Sequence, residues 1–246
     1  MTSRKLQRYA AIDALRGTAI WLMFFYHFSW DLAYFGFTDF QVVTNPYWMW
    51  FARFIAGTIL LVMGISQGIV SKREFDLRAF LRRLAIITAC AATISIGTYL
   101  MDPGVFIFFG VLHHIALVSI LMLLAVRLPT ATLGLLAAFC LIVPKFFTHE
   151  IFFAKWLWWV GLTPVSPPAL DYVPLLPWFA VSLIGVIVGR YLFTGSGPRI
   201  LGAWQPMNAA SRLIHLAGRH SLLLYMIHQP ILFGAVYGAY RVLNMH

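Results

Sequence analysis

The stretch RGTAIWLMFFYH, residues 16–27, is part of a segment apolar enough to cross a membrane, yet an arginine opens it and a histidine closes it. The apolar segment covers residues 11–36, and a spanning helix needs about 20 mostly apolar residues. Arg16 and His27 are therefore expected within a transmembrane helix. Ionisable side chains at that depth are costly unless they face a cavity or a partner, which makes them candidates for function.

The whole chain has the same apolar character. Its 246 residues are 61% hydrophobic and only 11% charged, and the mean hydropathy is +0.82. Soluble globular domains are much less apolar. A chain of this length holds about seven to nine spans with short connections and leaves no room for a separate soluble domain. We predict an all-α, polytopic membrane helix bundle in which residues 1–246 form a single transmembrane domain.

Apolar runs predict where the helices lie. The predicted ranges are about 11–36, 48–70, 80–100, 105–126, 129–147, 175–193 and 220–243. Residues 149–178 are rich in Trp, Phe and Pro, a composition that predicts an interfacial hairpin or a re-entrant segment. The polar connection at 194–220 contains turn formers and predicts a cytoplasmic loop with a short interfacial helix.

The net charge of +10 could indicate a nucleic-acid partner, but the basic residues instead follow the positive-inside rule. One side of the predicted bundle carries Arg4, Lys5, Arg8, Lys72, Arg73, Arg78, Arg82, Arg83, Arg127, Arg190, Arg199, Arg212 and Arg219. The other side carries Lys145, Lys155 and Arg241. We therefore place the N-terminus in the cytoplasm and expect no nucleic-acid partner, because orientation and attraction to anionic headgroups explain the charge.

Two further features bound the class of protein. Cys90 and Cys140 lie singly in apolar segments, so no disulfide framework and no metal site are expected. The basic N-terminal tail runs into the first span without a small-residue cleavage site, which predicts a first transmembrane helix rather than a signal peptide.

The first helix carries its ionisable residues in register. Arg16 and His27 are eleven positions apart, which is about 20° past three full helical turns and a rise of about 16 Å. They share one face, with Arg16 near the cytoplasmic end and His27 in the outer half of the bilayer. Asp13 could hold the Arg16 guanidinium, and Asp31 could orient the His27 ring or raise its basicity.

Other interpretations of these residues stay open. Arg16 could be a positive-inside anchor, and His27 could be a hydrogen-bonded packing residue. Arg53, near the outer end of the second helix, is an alternative partner for Asp31.

Polar residues in later helices form a second group of candidates. His113 and His114 point about 100° apart, so at most one is expected to face the same cavity as His27. Ser221, Tyr225 and His228 form a stripe on the last helix, for which interhelical packing is an equal alternative. Gly64 and Gly68, beside Ser66 and Gln67, indicate close packing more than a ligand site. Four histidines in loops or at ends are expected to be solvated: His149, His215, His220 and His246.

Five segments, in order, carry a family resemblance: RYAAIDALRGTAIWLMFFYHFSWDLAYFGF, FIAGTILLVMGISQGI, FFGVLHHIALVSIL, DYVPLLPWFAVSLIGVIVGR and GRHSLLLYMIHQPILF. Together they resemble the bacterial members of the heparan-alpha-glucosaminide N-acetyltransferase catalytic-domain family. The arginine, ten residues and histidine of the first segment are also similar to the transmembrane acyltransferases that modify surface polysaccharides. The lysosomal relatives carry a luminal domain that this chain lacks, so the acceptor cannot be inferred from theirs.

The resemblance implies an acetyl-CoA-dependent N- or O-acetyltransferase in the bacterial inner membrane, acting on an amino sugar or glycan at the opposite face. It implies catalysis by His27, supported by Asp31, as base or acyl carrier. The donor would contact Arg16, Asp13, Arg82, Arg83 and Arg190. The acceptor or the supporting structure would involve His114, His113, Arg53, Tyr225, His228, Ser221 and Asp171. The expected partners are acetyl-CoA, the acceptor, the lipid bilayer and, as one option, a second copy in a homodimer.

Two functions of other classes remain as alternatives. Polar residues in spans also mark transport paths, although the inverted repeats typical of transporters are not visible in the sequence. The several histidines at membrane depth could also bind haem as axial ligands.

Overall fold

The computed structural model describes residues 9–70, 75–169, 171–192 and 203–243, and all regular elements within these ranges are helices. The α-helices are α1 (Ala10–Tyr34), α2 (Pro46–Val70), α3 (Leu77–Met101), α4 (Val111–Ala125), α5 (Thr130–Phe146), α6 (Leu175–Leu192), α7 (Ala209–Arg219) and α8 (Ser221–Leu243). Two short 3₁₀ helices, Glu150–Phe153 and Lys155–Val160, lie between α5 and α6. The predicted all-α membrane bundle is confirmed.

Length and composition identify the membrane-spanning helices. Four helices of the described ranges are long and apolar enough to cross a bilayer: Pro46–Ile69, Leu77–Met101, Leu175–Leu192 and Ser221–Leu243. The apolar helices α4 and α5 are shorter, at 15 and 17 residues. Large apolar side chains are widely exposed, with Leu100 at 78% and Leu135 at 73%. Such surfaces suit lipid rather than water, so the protein is a membrane protein. The count of seven to nine spans and their orientation stay predictions.

Most predicted helices match the observed bounds within a few residues, but the fourth begins later than predicted. The apolar run at 105–110 is not helical. Its backbone makes hydrogen bonds to residues outside α4: Ile107 N donates to Thr98 Oγ1 at 3.0 Å, and Val173 N donates to Phe109 O at 3.0 Å. The short helix predicted in the 194–220 connection is present as α7. Within residues 149–169 and 171–174 the chain forms the two 3₁₀ helices and irregular structure, and α6 begins at Leu175.

The described chain divides into two compact units. One unit contains α1, α2 as far as Ile59, α7 and α8. Its core includes Ile20, Met23 and Ile55, with Leu224 and Tyr225 packed against it. The other unit runs from Leu60 through α6, and its core is built mainly from α4, α5 and α6. The prediction that the chain is a single domain stays a prediction.

Two glycines hold α7 directly against α1. A Cβ on Gly17 would collide with the carbonyl oxygen of Ile214 and would lie 2.9 Å from the backbone nitrogen of Gly218. A Cβ on Gly218 would collide with the carbonyl of Asp13. Only glycine permits backbones this close. The amphipathic α7 is therefore packed on the polar end of α1.

The glycines of α2 and α6 form a second close crossing, within the other unit. A Cβ on Gly64 would collide with the Ser182 carbonyl and would lie 3.0 Å from the Cα of Gly185. Gly68 makes a similar approach, with Gly189 Cα 3.2 Å from the position of its Cβ. Small residues four apart on both helices allow this packing. The packing interpretation of Gly64 and Gly68 is confirmed.

Candidate active site

The centre of the candidate site is a pair of histidines on α1 and α8. The ring centroids of His27 and His228 lie 4.8 Å apart, with the ring planes inclined at 59°. Phe24 packs its ring near His228 at a centroid distance of 5.5 Å, and Tyr26 lies near His27 at 5.4 Å. His27 is partly buried and His228 is only 5% exposed. The stripe predicted on the last helix therefore brings His228 to His27.

The backbone of α8 determines the tautomer of His228. Its Nδ1 lies 2.6 Å from the carbonyl oxygen of Tyr225. A carbonyl can only accept, so Nδ1 carries a proton and donates it to this bond. In the neutral ring Nε2 then holds a lone pair. This atom is buried and has no hydrogen-bond partner among the described residues.

Asp31, one helical turn after His27, pairs with Gln229, the residue that follows His228. Asp31 is fully buried, and its Oδ1 accepts a 2.7 Å hydrogen bond from Gln229 Nε2. Within the described chain, Asp31 Oδ2 and Gln229 Oε1 are buried without hydrogen-bond partners. The pair thus has two buried acceptor atoms without a donor among the described residues, and a buried acceptor without a donor is costly.

The partner predicted for Asp31 is wrong. Its side-chain hydrogen bond goes to Gln229 and not to His27, because the carboxylate points from α1 toward α8. Arg53 is not its partner either, since the guanidinium of Arg53 lies 5.0 Å above the centroid of the Trp50 ring in a cation–π contact on an exposed part of α2.

The polar end of α1 carries a second cluster. Arg16 Nη1 lies 2.8 Å from Asp13 Oδ1, so the predicted Asp13–Arg16 pair is confirmed. His215 of α7 brings Nε2 to 3.9 Å from Asp13 Oδ2. The expectation that His215 is solvated is therefore wrong, because the close α1–α7 packing carries it to Asp13. His149 and His220 are exposed, as expected, and His246 lies outside the described residues.

His113 has a structural role at the start of α4. Its Nδ1 accepts from Gly110 N at 3.3 Å, and its Nε2 lies 3.0 Å from Ser95 Oγ. Ser95 in turn donates to the Ile107 carbonyl at 2.6 Å. An accepting Nδ1 leaves the proton on Nε2, which then donates to the serine. Both ring nitrogens are thus used to hold the 102–110 connection.

His114, the neighbour of His113, is fully buried in the same unit. Its ring lies beside the backbone of Val173 and Pro174, but neither nitrogen makes a well-formed hydrogen bond within the described chain. The expectation that at most one of the two adjacent histidines faces the same cavity as His27 stays a prediction.

Asp171 holds the start of α4 from sixty residues away. Its Oδ2 accepts a 2.9 Å hydrogen bond from Val111 N, the first backbone amide of the helix. Gly110 leaves room for this carboxylate, because a Cβ there would collide with it. A carboxylate at a helix N-terminus satisfies an unpaired donor and favours the helix dipole. This contact accounts for Asp171 without a substrate.

Three arginines predicted to bind the donor lie in the unit that runs from Leu60 through α6. Arg190 donates to the carbonyls of Val126 and Leu128 at 2.7 and 2.8 Å, which ties α6 to the α4–α5 connection. Arg82 is exposed on α3. Arg83 lines a cavity of about 10 Å³, large enough for about one water molecule. Of the three, Arg190 has the clearest structural role.

Most of the chain matches one known protein family. Residues 8–230 match the family described as "Heparan-alpha-glucosaminide N-acetyltransferase, catalytic". The chain belongs to this family. No match to the chain was found among the curated proteins or among the solved structures. Membership of the heparan-alpha-glucosaminide N-acetyltransferase catalytic family confirms the sequence resemblance and makes the protein a member of a membrane acetyltransferase family.

The haem alternative does not suit the histidine pair of this N-acetyltransferase family member. Axial haem ligands lie on opposite faces of the porphyrin, which separates their rings. The rings of His27 and His228 instead contact each other. Within the described ranges, no group of three or more His, Cys, Asp or Glu side chains is placed to hold a metal ion.

Two residues of these clusters were not predicted from the sequence: Gln229, which bonds Asp31, and His215, which lies near Asp13. Gln229 follows His228 directly, and a polar amide within an apolar helix is itself a signal of a buried partner. His215 lies on α7 one turn before Gly218. Its partner could not be known without the position of α7 on α1.

Proposed function

We propose that this protein is an integral membrane acetyltransferase that moves an acetyl group from cytoplasmic acetyl-CoA to an amino sugar or glycan on the opposite face. His27 acts in this proposal as general base or as acetyl carrier. The observation that carries it is the contact of His27 with the buried His228, beside the Asp31–Gln229 pair, in a member of an N-acetyltransferase family.

An imidazole suits either form of the reaction. As a base, His27 removes the proton of the acceptor N–H or O–H while that atom bonds to the acetyl carbon and the C–S bond of the thioester breaks. As a carrier, a His27 nitrogen first bonds to the acetyl carbon, the C–S bond breaks, and coenzyme A leaves as the thiol with the proton that the imidazole ring loses. The acceptor then takes the acetyl group as the C–N bond to the ring breaks.

In this proposal the phosphates of acetyl-CoA bind cationic side chains at the cytoplasmic end of α1. Arg16 is suited to this role because Asp13 holds its guanidinium in place at 2.8 Å, and a guanidinium offers five N–H donors in a fixed geometry. Arg82 and Arg83 are further candidates. Arg190 is a weaker candidate, since loop carbonyls already use both of its terminal nitrogens.

The proposal also includes the setting of the enzyme. The charge distribution supports a multi-pass protein of a bacterial inner membrane with a cytoplasmic N-terminus. We include a homodimer in the proposal. The mass of the protein in detergent, measured by light scattering, tests this oligomeric state.

The decisive experiment follows the acetyl group. Purified protein is incubated with radiolabelled acetyl-CoA and a panel of amino sugars and glycans, and the label is measured in the product and on the protein. Wild-type protein should acetylate at least one acceptor. His27→Ala should reduce transfer by at least about 100-fold, the usual contribution of a positioned acid–base group.

The control for this experiment is His220→Ala, because His220 is exposed at the end of α7. This variant should keep wild-type activity. Full activity of His27→Ala would reject the role of His27, and transfer to no acceptor by the wild type would reject the acetyltransferase proposal. Arg16→Ala should raise the KM for acetyl-CoA, and an unchanged KM would remove Arg16 from the donor site.

A further inference from the structure

His228 carries an unused proton-accepting atom at the centre of the candidate site. The ring is 5% exposed, and its Nε2 is buried without a hydrogen-bond partner among the described residues. A buried polar atom left unpaired costs about 1–3 kcal/mol. A catalytic role is one of the few explanations for such an atom in a native protein, beside an ordered water or a bound ion.

The hydrogen bond to Tyr225 prepares this atom for proton transfer. Because Nδ1–H donates to the Tyr225 carbonyl at 2.6 Å, the lone pair of the neutral ring is fixed on Nε2 and the ring cannot rotate without losing the bond. A hydrogen bond of this kind sets the tautomer and the orientation of a catalytic imidazole. The Nδ1–H bond to the carbonyl is kept when Nε2 takes up a proton, because the two atoms lie on different sides of the ring.

The neighbours of His228 are suited to receiving a donor group. Asp31 Oδ2 and Gln229 Oε1, like His228 Nε2, are acceptor atoms without partners in the described chain. His27 lies against the His228 ring at 4.8 Å, so a group held at His27 is within reach of His228. Three side-chain acceptor atoms of Asp31, His228 and Gln229 are therefore buried without a donor among the described residues.

We propose that His228 is a second catalytic residue, whose Nε2 takes the proton of the acceptor nucleophile during acetyl transfer at His27. The inference rests on the proposed acetyltransferase function and assigns the two histidines different tasks. The acceptor N–H or O–H bond breaks, its proton goes to His228 Nε2, and its electron pair forms the bond to the acetyl carbon. The bond from that carbon to the leaving group breaks, and the proton later returns to the leaving group or to water.

Two substitutions separate proton transfer from positioning. His228→Asn keeps an amide N–H that can donate to the Tyr225 carbonyl but removes Nε2. His228→Gln places an amide oxygen near the position of Nε2, which accepts a hydrogen bond but does not take up a proton at neutral pH. Both variants should lower kcat for the best amino-sugar acceptor by about 100-fold or more, with little change in the KM for acetyl-CoA.

The acceptor provides the second readout. Hydroxylamine is largely unprotonated at neutral pH and attacks acetyl groups without help from a base. With hydroxylamine as acceptor, and after subtraction of its reaction without protein, the loss in both variants should shrink to less than about 10-fold. His220→Asn and His220→Gln make the same changes at an exposed histidine and should match the wild type with both acceptors.

The outcomes distinguish the two proposals. Full activity of either His228 variant with the amino sugar, or restoration by glutamine alone, would overturn proton transfer by His228 while wild-type activity upholds the acetyltransferase. An equal loss with both acceptors would also overturn it, since that pattern indicates damage to the structure. A wild-type protein inactive with every acceptor would reject the acetyltransferase proposal and this inference together.

Discussion

Gly17→Ala tests the close packing of α7 on α1. A Cβ at residue 17 would collide with the Ile214 carbonyl oxygen and lie 2.8 Å from its carbon and 2.9 Å from Gly218 N. An ordinary contact of 3.4 Å to the Ile214 carbon requires the backbones to separate by at least about 0.6 Å, and the nearer carbonyl oxygen requires more. A gap of about 0.5–1 Å forfeits a quarter to a half of the dispersion energy between the atoms concerned.

The expected loss follows from two opposing effects. Overpacking costs about 1–3 kcal/mol, and a rigid backbone carbonyl cannot yield as a side chain would, so we expect the upper end. Replacing glycine by alanine in a helix returns up to about 1 kcal/mol. The net loss is about 2 kcal/mol, and at about 2–4 °C per kcal/mol the Tm falls by about 4–8 °C.

Gly238→Ala is the matched control. Gly238 lies in α8 of the same unit, and a Cβ there would meet nothing within 4 Å. The Gly238→Ala variant should gain only the higher helix propensity of alanine, which raises the Tm by about 2–4 °C. Thermal unfolding of the three proteins in one detergent measures both shifts. A Tm for Gly17→Ala at or above that of Gly238→Ala would refute the close approach of α1 and α7.

Substitutions at three further positions test the other unit by the same thermal assay. Gly185→Leu in α6 should lower the Tm by several degrees, because a Cβ there collides with the Leu61 carbonyl of α2; an unchanged Tm contradicts the glycine crossing. Asp171→Ala removes the oxygen that caps α4 and should lower the free energy of unfolding by about 1 kcal/mol. Asp171→Asn keeps an accepting oxygen and should lower it less. Equal losses in the two variants would argue against a cap. Tyr172 donates a 2.8 Å hydrogen bond to the backbone, and burial raises its pKa to about 12. An exposed tyrosine has a pKa near 10, so the contribution of Tyr172 to stability is complete below about pH 10 and is lost as the pH rises toward 12. Tyr172→Phe should therefore lower the free energy of unfolding by about 1 kcal/mol at neutral pH and by less above pH 10. A loss that is the same at both pH values would contradict the raised pKa of Tyr172.

The order of the helices could be predicted because it depends on properties that repeat along the chain. Runs of apolar residues as long as α2, α3, α6 and α8 have few alternatives to a membrane helix. The boundary of α4 could not be predicted in this way. The apolar residues 105–110 are as hydrophobic as a helix requires, but contacts from Thr98 and from Val173 hold their backbone in another conformation.

Contacts within one helix turn were predictable, and contacts between helices were not. The Asp13–Arg16 pair follows from a spacing of three residues, which places both side chains on one face. Asp31 has a neighbour at the same kind of spacing in His27, yet its carboxylate bonds Gln229 of α8. Spacing identifies the side chains that could meet on one helix, but packing determines which helix supplies the closer partner.

By itself the sequence determined the helical class, the membrane setting, the shared face of Arg16 and His27, and the family. Helical periodicity and hydrophobic length contain this information because they act between residues near each other in the chain. Only the tertiary structure decided that His228 contacts His27, that Gln229 holds Asp31 and that Gly17 and Gly218 lock α7 onto α1. These contacts join residues about 200 positions apart, and their formation depends on the shape of both helix surfaces.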